Sequence, residues 1–180
     1  MKKIYLLPLL VLTVAIVLMS CGGGKPSITP KEYNNKVIDI QLTVINKILA
    51  LNKAFEKLVP AELDAGLKGF QESSEKAVAD ISKFEAYEGS TTLKDAALNL
   101  FKFYQAASIN EYKKMIDILK KGAAMTPEDQ TTLGTLAAQV GTNEKGFDEA
   151  FKNAQQAFSK QYNLPIEVNE KQKEIDNMGK

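Results

Sequence analysis

Apolar residues recur at steps of three and four from Thr29 onward, and form a continuous run only at the start of the chain, from Ile4 to Met19. The first pattern is the signature of helices that bury one face. Thr29-Pro30-Lys31-Glu32 is a capping box with proline at the first helical position, so it predicts a helix start. Behind it Tyr33, Val37, Ile40, Val44, Ile48, Leu51, Phe55 and Leu58 form one stripe. Ile38, Leu42, Ile45 and Leu49 widen it, which predicts a first helix buried on more than one side and stopped by Pro60.

A second helix is expected from about Ala61 to near Tyr87, with Leu63, Leu67, Phe70, Ala77, Ile81 and Phe84 inward. Gly66 and Gly69 within it either permit a close approach or weaken it. Glu88 to Thr91 is a turn, with Gly89 suited to a helix C-terminus. A third helix is expected from about Thr92 to Lys121, its seam carried by Leu93, Ala97, Phe101, Tyr104, Ser108, Tyr112, Met115 and Leu119. Lys120-Lys121-Gly122 ends it, with cations at the negative pole of the helix dipole.

Thr126-Pro127-Glu128-Asp129 repeats the start signal, and Leu133, Leu136, Val140, Phe147, Phe151, Ala154, Phe158 and Tyr162 give a fourth stripe. Gly141-Thr142-Asn143 and Gly146 interrupt it, so a kink or break is expected there. Asn163-Leu164-Pro165 closes it, and residues 164–180 read as a polar tail outside the core. No stretch alternates with period two over strand length. The fold class is therefore all-α: an up-down-up-down four-helix bundle over residues 29–163, with helices of ~40–55 Å at 1.5 Å per residue.

The opening run adds an address. Lys2 and Lys3, then an apolar segment of about 16 residues containing Pro8, then Ser20-Cys21-Gly22-Gly23-Gly24, have the layout of an export signal. The run is short of the ~20 residues that a spanning helix needs. Leu18-Met19-Ser20-Cys21 resembles the bacterial lipobox. That resemblance implies cleavage after Ser20, diacylglycerol on the Cys21 thiol and a third acyl chain on the new N-terminus. Acyl chains bind a bilayer with ~0.8 kcal/mol per buried CH₂, so three would hold where one is marginal. The other readings of this stretch are an ordinary cleaved signal with a stray thiol, or an uncleaved anchor. The expected organisation is residues 1–20 as signal peptide, 21–28 as lipidated tether, then the bundle. Gly22 rather than aspartate after the cysteine points to the bacterial outer membrane, with the periplasmic face favoured over the cell surface.

Composition then narrows the chemistry. Of 23 basic residues, all lysine, two leave with the signal, so 21 face 22 acidic ones and the remaining chain carries about −1. Without arginine and near neutrality it lacks the basic patch and bidentate forks of a nucleic-acid binder, so no nucleic-acid partner is expected. Cys21 is the one cysteine and there is no histidine. That leaves no disulfide, no thiol nucleophile in the bundle and none of the histidine or cysteine metal and haem sites that helical bundles host. No metal or other cofactor is expected.

Several candidates remain in the bundle. Asn34, Asn35, Gln41 and Asn46 place amides on an otherwise apolar first helix, either lining a pocket or fixing helix register. Phe101, Phe103, Tyr104 and Tyr112 cluster on the third helix with Ser108 among them. Such a seam either leaves a cavity for an apolar ligand or is ordinary core with hydroxyls reaching its edge. Asn34, Gln41, Tyr104, Ser108 and Tyr112 are accordingly the candidate pocket or interhelical polar residues. Glu62/Asp64 and Glu128/Asp129 are paired carboxylates at helix N-termini, where acids stabilise the dipole rather than catalyse. Lys113-Lys114 and Lys120-Lys121 read as a solvated face, with weak attraction to anionic headgroups as the sharper reading.

Three stretches together carry a resemblance. They are Tyr33-Asn34-Asn35-Lys36-Val37 with Gln41; Lys94-Asp95-Ala96-Ala97-Leu98 through Phe103-Tyr104 to Glu111-Tyr112; and Phe147-Asp148-Glu149-Ala150-Phe151 to Gln155, Gln156 and Phe158. They resemble a family of small bacterial lipoproteins described after a leptospiral surface protein and common in Bacteroidetes-type bacteria. The resemblance implies an envelope location and a helical fold, and no catalytic residues. The expectation is a non-enzymatic, lipid-anchored bundle that binds or scaffolds an envelope protein. The alternative is a carrier or sensor of a small apolar ligand held between the helices.

Overall fold

The computed structural model describes residues 28–165. Cys21 with the leader and tether before Ile28, and the tail from residue 166, lie outside the described residues. Within them the chain is all-α.

The first helix, α1, spans Pro30–Lys57. Both halves of its capping box form: the Thr29 hydroxyl accepts from the Glu32 amide at 3.2 Å, and Glu32 takes the Thr29 amide at 2.7 Å. Two of the amides a helix start leaves orphaned are thereby satisfied. α1 ends with Leu58 in the left-handed region at φ 54, its amide reaching back to Ala54. Glycine normally holds that place, and this leucine is 54 % exposed. α1 is buried on its main stripe and on its flank, where Ile45 and Leu49 are also buried, as the widened pattern predicts.

The second helix, α2, spans Pro60–Ser82 and runs back along α1. Gly66 is what lets them meet. A Cβ there would sit 3.0 Å from Leu51 Cδ1 and 3.2 Å from Leu51 Cα, tighter than nine in ten real Cβ contacts, so Leu51 would have to give way.

α2 ends earlier than its stripe suggests, at Ser82 rather than near Tyr87. The amides of Lys83 and Phe84 tighten onto Asp80 and Ile81. The chain then crosses the end of the bundle, and Tyr87 and Ser90 exchange both backbone hydrogen bonds at 2.9 Å. Glu88 and Gly89, both at positive φ, fill the two-residue turn between them. The early stop frees Phe84 and Tyr87 to plug that end. Tyr33, Phe84, Tyr87, Phe158 and Tyr162 stack or meet edge-on with ring centroids 4.7–5.6 Å apart. Tyr33 donates to the Glu85 carbonyl and Tyr87 to the Ile28 carbonyl, so both hydroxyls are satisfied at the rim.

The expected third helix is in fact two: α3, Thr92–Ile109, and α4, Glu111–Leu119. The break coincides with a side chain from the neighbouring helix. In a continuous helix the Ser108 carbonyl would accept from the Tyr112 amide; here it accepts from the Gln71 side chain of α2 at 3.1 Å. Asn110 also donates through its side chain to the Ala106 carbonyl at 2.9 Å, competing with its own amide. A side chain inserted into the ladder is one of the recognised causes of a kink. α3 and α4 remain one bent arm.

The last helix, α5, spans Pro127–Gln161 after a short turn at Gly122–Ala124, and it is continuous. Of the kink or break expected at Gly141 to Gly146, the break does not occur. All three α5 glycines face solvent with nothing within 4 Å of a would-be Cβ, so they cost helix propensity but disturb no packing. Val140, Glu144 and Phe151 hold that stretch on α3 and α4, with Glu144 accepting the Tyr104 hydroxyl.

The arms therefore alternate up, down, up, down. α1 lies along α2, α2 along α3, and α3 along α5, with α4 on the N-terminal half of α5. α1 and α5 do not run alongside each other; they meet through the rings of Tyr33 and Phe158.

Candidate functional site

The seam expected on the third helix forms the middle of the core. Tyr104 is 2 % exposed, and its hydroxyl donates to Glu144 Oε1 at 2.9 Å across the α3–α5 interface. One turn on, Ser108 is fully buried, and its hydroxyl donates to the Gln105 carbonyl of its own helix at 2.8 Å. Past the bend, half-buried Tyr112 stacks on Phe55 and meets Phe70 edge-on with centroids 5.2 Å apart. Phe70 is also edge-on to Tyr104 at 6.2 Å. Tyr104 and Tyr112 are thus brought together around one phenylalanine of α2, with Ser108 one turn from each on the same seam. The serine satisfies itself within its helix, the ordinary solution for a buried hydroxyl.

Asn34 and Gln41 are buried on α1 but are not part of this seam. Asn34 lies near the aromatic end, and its Oδ1 finds no donor. An unmade hydrogen bond at a buried acceptor costs about 1–3 kcal/mol.

α5 supplies the residues that the sequence pattern did not single out. Glu144, Asp148 and Lys152 sit one turn apart on the flank of its apolar stripe. Asp148 is 8 % exposed; its Oδ2 pairs with Lys152 at 2.8 Å, while its Oδ1 is buried without a donor. Charged residues at steps of four along a stripe edge are the signal that could have found them.

The electrostatics follow from burial. Desolvation first, then the Glu144 carboxylate, pushes the Tyr104 hydroxyl well above its ordinary value, and the same two causes raise Tyr112. At neutral pH Tyr104 is therefore a fixed hydrogen-bond donor. Ion pairs occupy three of the four paired carboxylates: Glu62 with Lys57 at 2.8 Å, Asp64 with Lys120 at 2.7 Å, and Asp129 with Lys121 at 2.6 Å. Lys121 and the Thr126 amide hold Asp129 below the usual carboxylate range. These acids cap and tie helix ends.

Among the described residues no three of histidine, cysteine, aspartate and glutamate stand close enough to hold a metal ion, and no helix is long and apolar enough to cross a membrane. An open hollow at the end of α5, lined by Gln156, Ser159, Lys160, Asn163, Leu164 and Pro165, lies away from Tyr104. No protein-family model matches the chain, and neither any curated protein nor any solved structure is significantly similar to it.

Proposed function

We propose that this chain is a lipoprotein of the bacterial cell envelope, held in the outer membrane through Cys21, and that its bundle is a non-enzymatic binding or scaffolding module for an envelope protein. The observation that carries the reading is the sequence Leu18-Met19-Ser20-Cys21 placed directly behind the apolar run and only eight residues before the Thr29 cap. A helix that starts so soon after the cysteine keeps the bundle within ~25 Å of the bilayer, since an extended tether gains at most ~3.6 Å per residue. The likeness to the leptospiral-type lipoprotein family supports the same address. Among the described polar groups, those with partners tie helix ends and edges or join neighbouring helices, as Tyr104 does with Glu144 and Gln71 with the Ser108 carbonyl, which suits a rigid binding module.

The test is metabolic labelling with a clickable palmitate, followed by membrane fractionation. Label on the wild-type chain that is lost in Cys21→Ser, with the wild type in the outer-membrane fraction, supports the anchor. An unlabelled chain in the soluble fraction removes it. Crosslinking in the native envelope then tests the binding role, and a defined turnover by the purified protein would overturn it.

A second reading, a carrier or sensor of a small apolar ligand held between the helices, is favoured by one feature: the aromatic seam in which Tyr104 and Tyr112 both meet Phe70. Native mass spectrometry of the purified protein tests it, because a carrier retains an apolar molecule at one per chain.

A further inference from the structure

The two ends of the bundle are finished differently. Where Thr29 opens α1, stacked rings close the core, and three tyrosine hydroxyls there donate to Glu85, Ile28 and Glu88. At the other end the α1–α2 and α4–α5 connections are drawn together by an ion pair. It joins Lys120, just after α4, to Asp64 in the first turn of α2 at 2.7 Å. Neither connection holds a charge: residues 58–61 are Leu-Val-Pro-Ala and residues 122–125 are Gly-Ala-Ala-Met. All but Met125 are exposed. Among the described residues four large apolar side chains are exposed, and Leu58 and Val59 are two of them. The apolar stripe of α1 ends on Leu58, which the sequence pattern therefore counts as inward. The left-handed turn at φ 54 swings it out, and it takes no part in the core. Glycine would hold that turn without strain.

We infer that this apolar tip, Leu58 and Val59 with the 122–125 turn beside them, docks a protein that offers an apolar pocket with a basic rim, a site that rests on the binding role proposed above. The border of the tip selects that partner. Residues 56–64 and 120–129 hold five acids against three lysines, a surplus of two negative charges. All three lysines are engaged at 2.6–2.8 Å: Lys57 with Glu62, Lys120 with Asp64, and Lys121 with Asp129. The surplus falls on Glu56 and Glu128, both exposed. A surface of that sign is repelled by anionic headgroups and by a second copy of itself, and is complemented by lysine or arginine. An apolar centre inside a charged border is also the ordinary anatomy of a protein interface.

Position agrees with charge. Thr29 and Leu58 cap opposite ends of the 28-residue α1, about 42 Å apart at 1.5 Å per residue. An anchor at Cys21, eight residues before Thr29, holds the aromatic end toward the bilayer and leaves the tip free for a partner.

The test is photo-crosslinking of the full-length chain in its native envelope, with p-benzoylphenylalanine in place of Leu58, of Val59 or, on the flank of the bundle, of Phe147. Palmitate labelling is read on the same samples. The expected result is one protein captured from positions 58 and 59 and not from 147. With that protein purified, Leu58→Gly should weaken binding about tenfold. Glu128→Lys, or a rise in salt, should weaken it about threefold. Leu58→Gly relieves the left-handed strain, so its unfolding midpoint should not fall, and its loss of binding is then not a loss of fold. Undiminished binding by Leu58→Gly, or a captured surface that is acidic, overturns the proposal. So does crosslinking from 58 and 59 to lipid or to a second copy. Capture from position 147 alone overturns the tip and leaves the binding role standing, whereas silence at all three positions overturns both. Capture from the tip of a chain that carries no palmitate upholds the tip and removes only the anchor.

Discussion

Gly66 and Gly141 are the same residue under opposite constraints, and they respond to alanine in opposite directions. At Gly66 the new methyl would press on the backbone of Leu51, which cannot give way without separating α1 from α2. Overpacking of this kind costs about 1–3 kcal/mol, so Gly66→Ala is expected to lower the chemical-denaturation midpoint. At Gly141 the methyl meets open solvent on a continuous helix, and alanine has the better helix propensity by about 0.5–1 kcal/mol. Gly141→Ala is expected to raise the midpoint. Tyr104 separates packing from hydrogen bonding. Tyr104→Phe keeps the ring against Phe70 and removes only the donor to Glu144, which is partly exposed and can turn to water. It should cost about 1 kcal/mol. Tyr104→Ala empties a fully packed site and should cost about 3–5 kcal/mol. Equal losses in the two variants, measured by urea unfolding, would show that the hydroxyl rather than the ring holds this interface.

The helices show what a pattern of residues can and cannot carry. Both Thr-Pro starts, at Thr29 and Thr126, were legible because a capping box is local: four residues contain all the atoms of the motif. The four stripes were legible for a similar reason, since helical period alone sorts inward from outward. The breaks were not. Asn110 interrupts an unremarkable stripe because Gln71, on another helix, occupies the Ser108 carbonyl. A partner 37 residues away leaves no trace in the sequence around the break. Gly141 looks like a break and is none, because the penalty of one exposed glycine is small against the packing of Val140 and Phe151 on the neighbouring arm. The candidate site divides in the same way. The Tyr104–Ser108–Tyr112 seam is a period on one helix and was visible, whereas Glu144 and Asp148 matter only because α5 is laid against α3. Two changes test this at the level of the element. Thr126→Ala removes the side-chain acceptor for the Asp129 amide at the start of the 35-residue α5 and should cost about 1 kcal/mol, read by thermal unfolding. Gln71→Ala frees the Ser108 carbonyl, and the Tyr112 amide is then expected to take it. Slower hydrogen exchange at Tyr112 in that variant supports the stated cause of the bend, and faster exchange contradicts it.

At the scale of the whole molecule, the pattern of titratable groups fixes how stability depends on pH. With no histidine in the chain and its one cysteine, Cys21, outside the bundle, no side chain of the bundle has an ordinary pKa between about pH 5 and 9. Stability should therefore be flat across that window. On the acid side Glu32, Asp80 and Asp129 all lie below their ordinary values, held there by Thr29, by Lys76 and Lys83, and by Lys121 with Thr126. A lowered carboxylate contributes stability above its unfolded value, and that contribution is lost as pH falls through the folded one. The acid limb should thus begin below about pH 4.5. It should be shallow, because these groups are on the surface and screened. The alkaline limb has a different origin. Tyr33, Tyr87, Tyr104, Tyr112 and Tyr162 are all raised above 10, chiefly by burial, with Tyr162 pushed up to about 12. A raised tyrosine keeps its proton in the folded state after the unfolded state has released it, so its contribution is complete below pH 10 and falls as pH climbs above it. Five such groups spread over both the middle and the aromatic end act on the same global equilibrium, which makes the alkaline limb the steeper one. The check is absorbance of tyrosinate at about 295 nm followed together with helical circular dichroism from pH 8 to 13. The two signals should change together, with tyrosinate appearing only as helix is lost. Tyrosinate rising near pH 10 over an intact helical signal would mean that the rings are accessible to solvent, and that the tyrosines do not form the closed core described above.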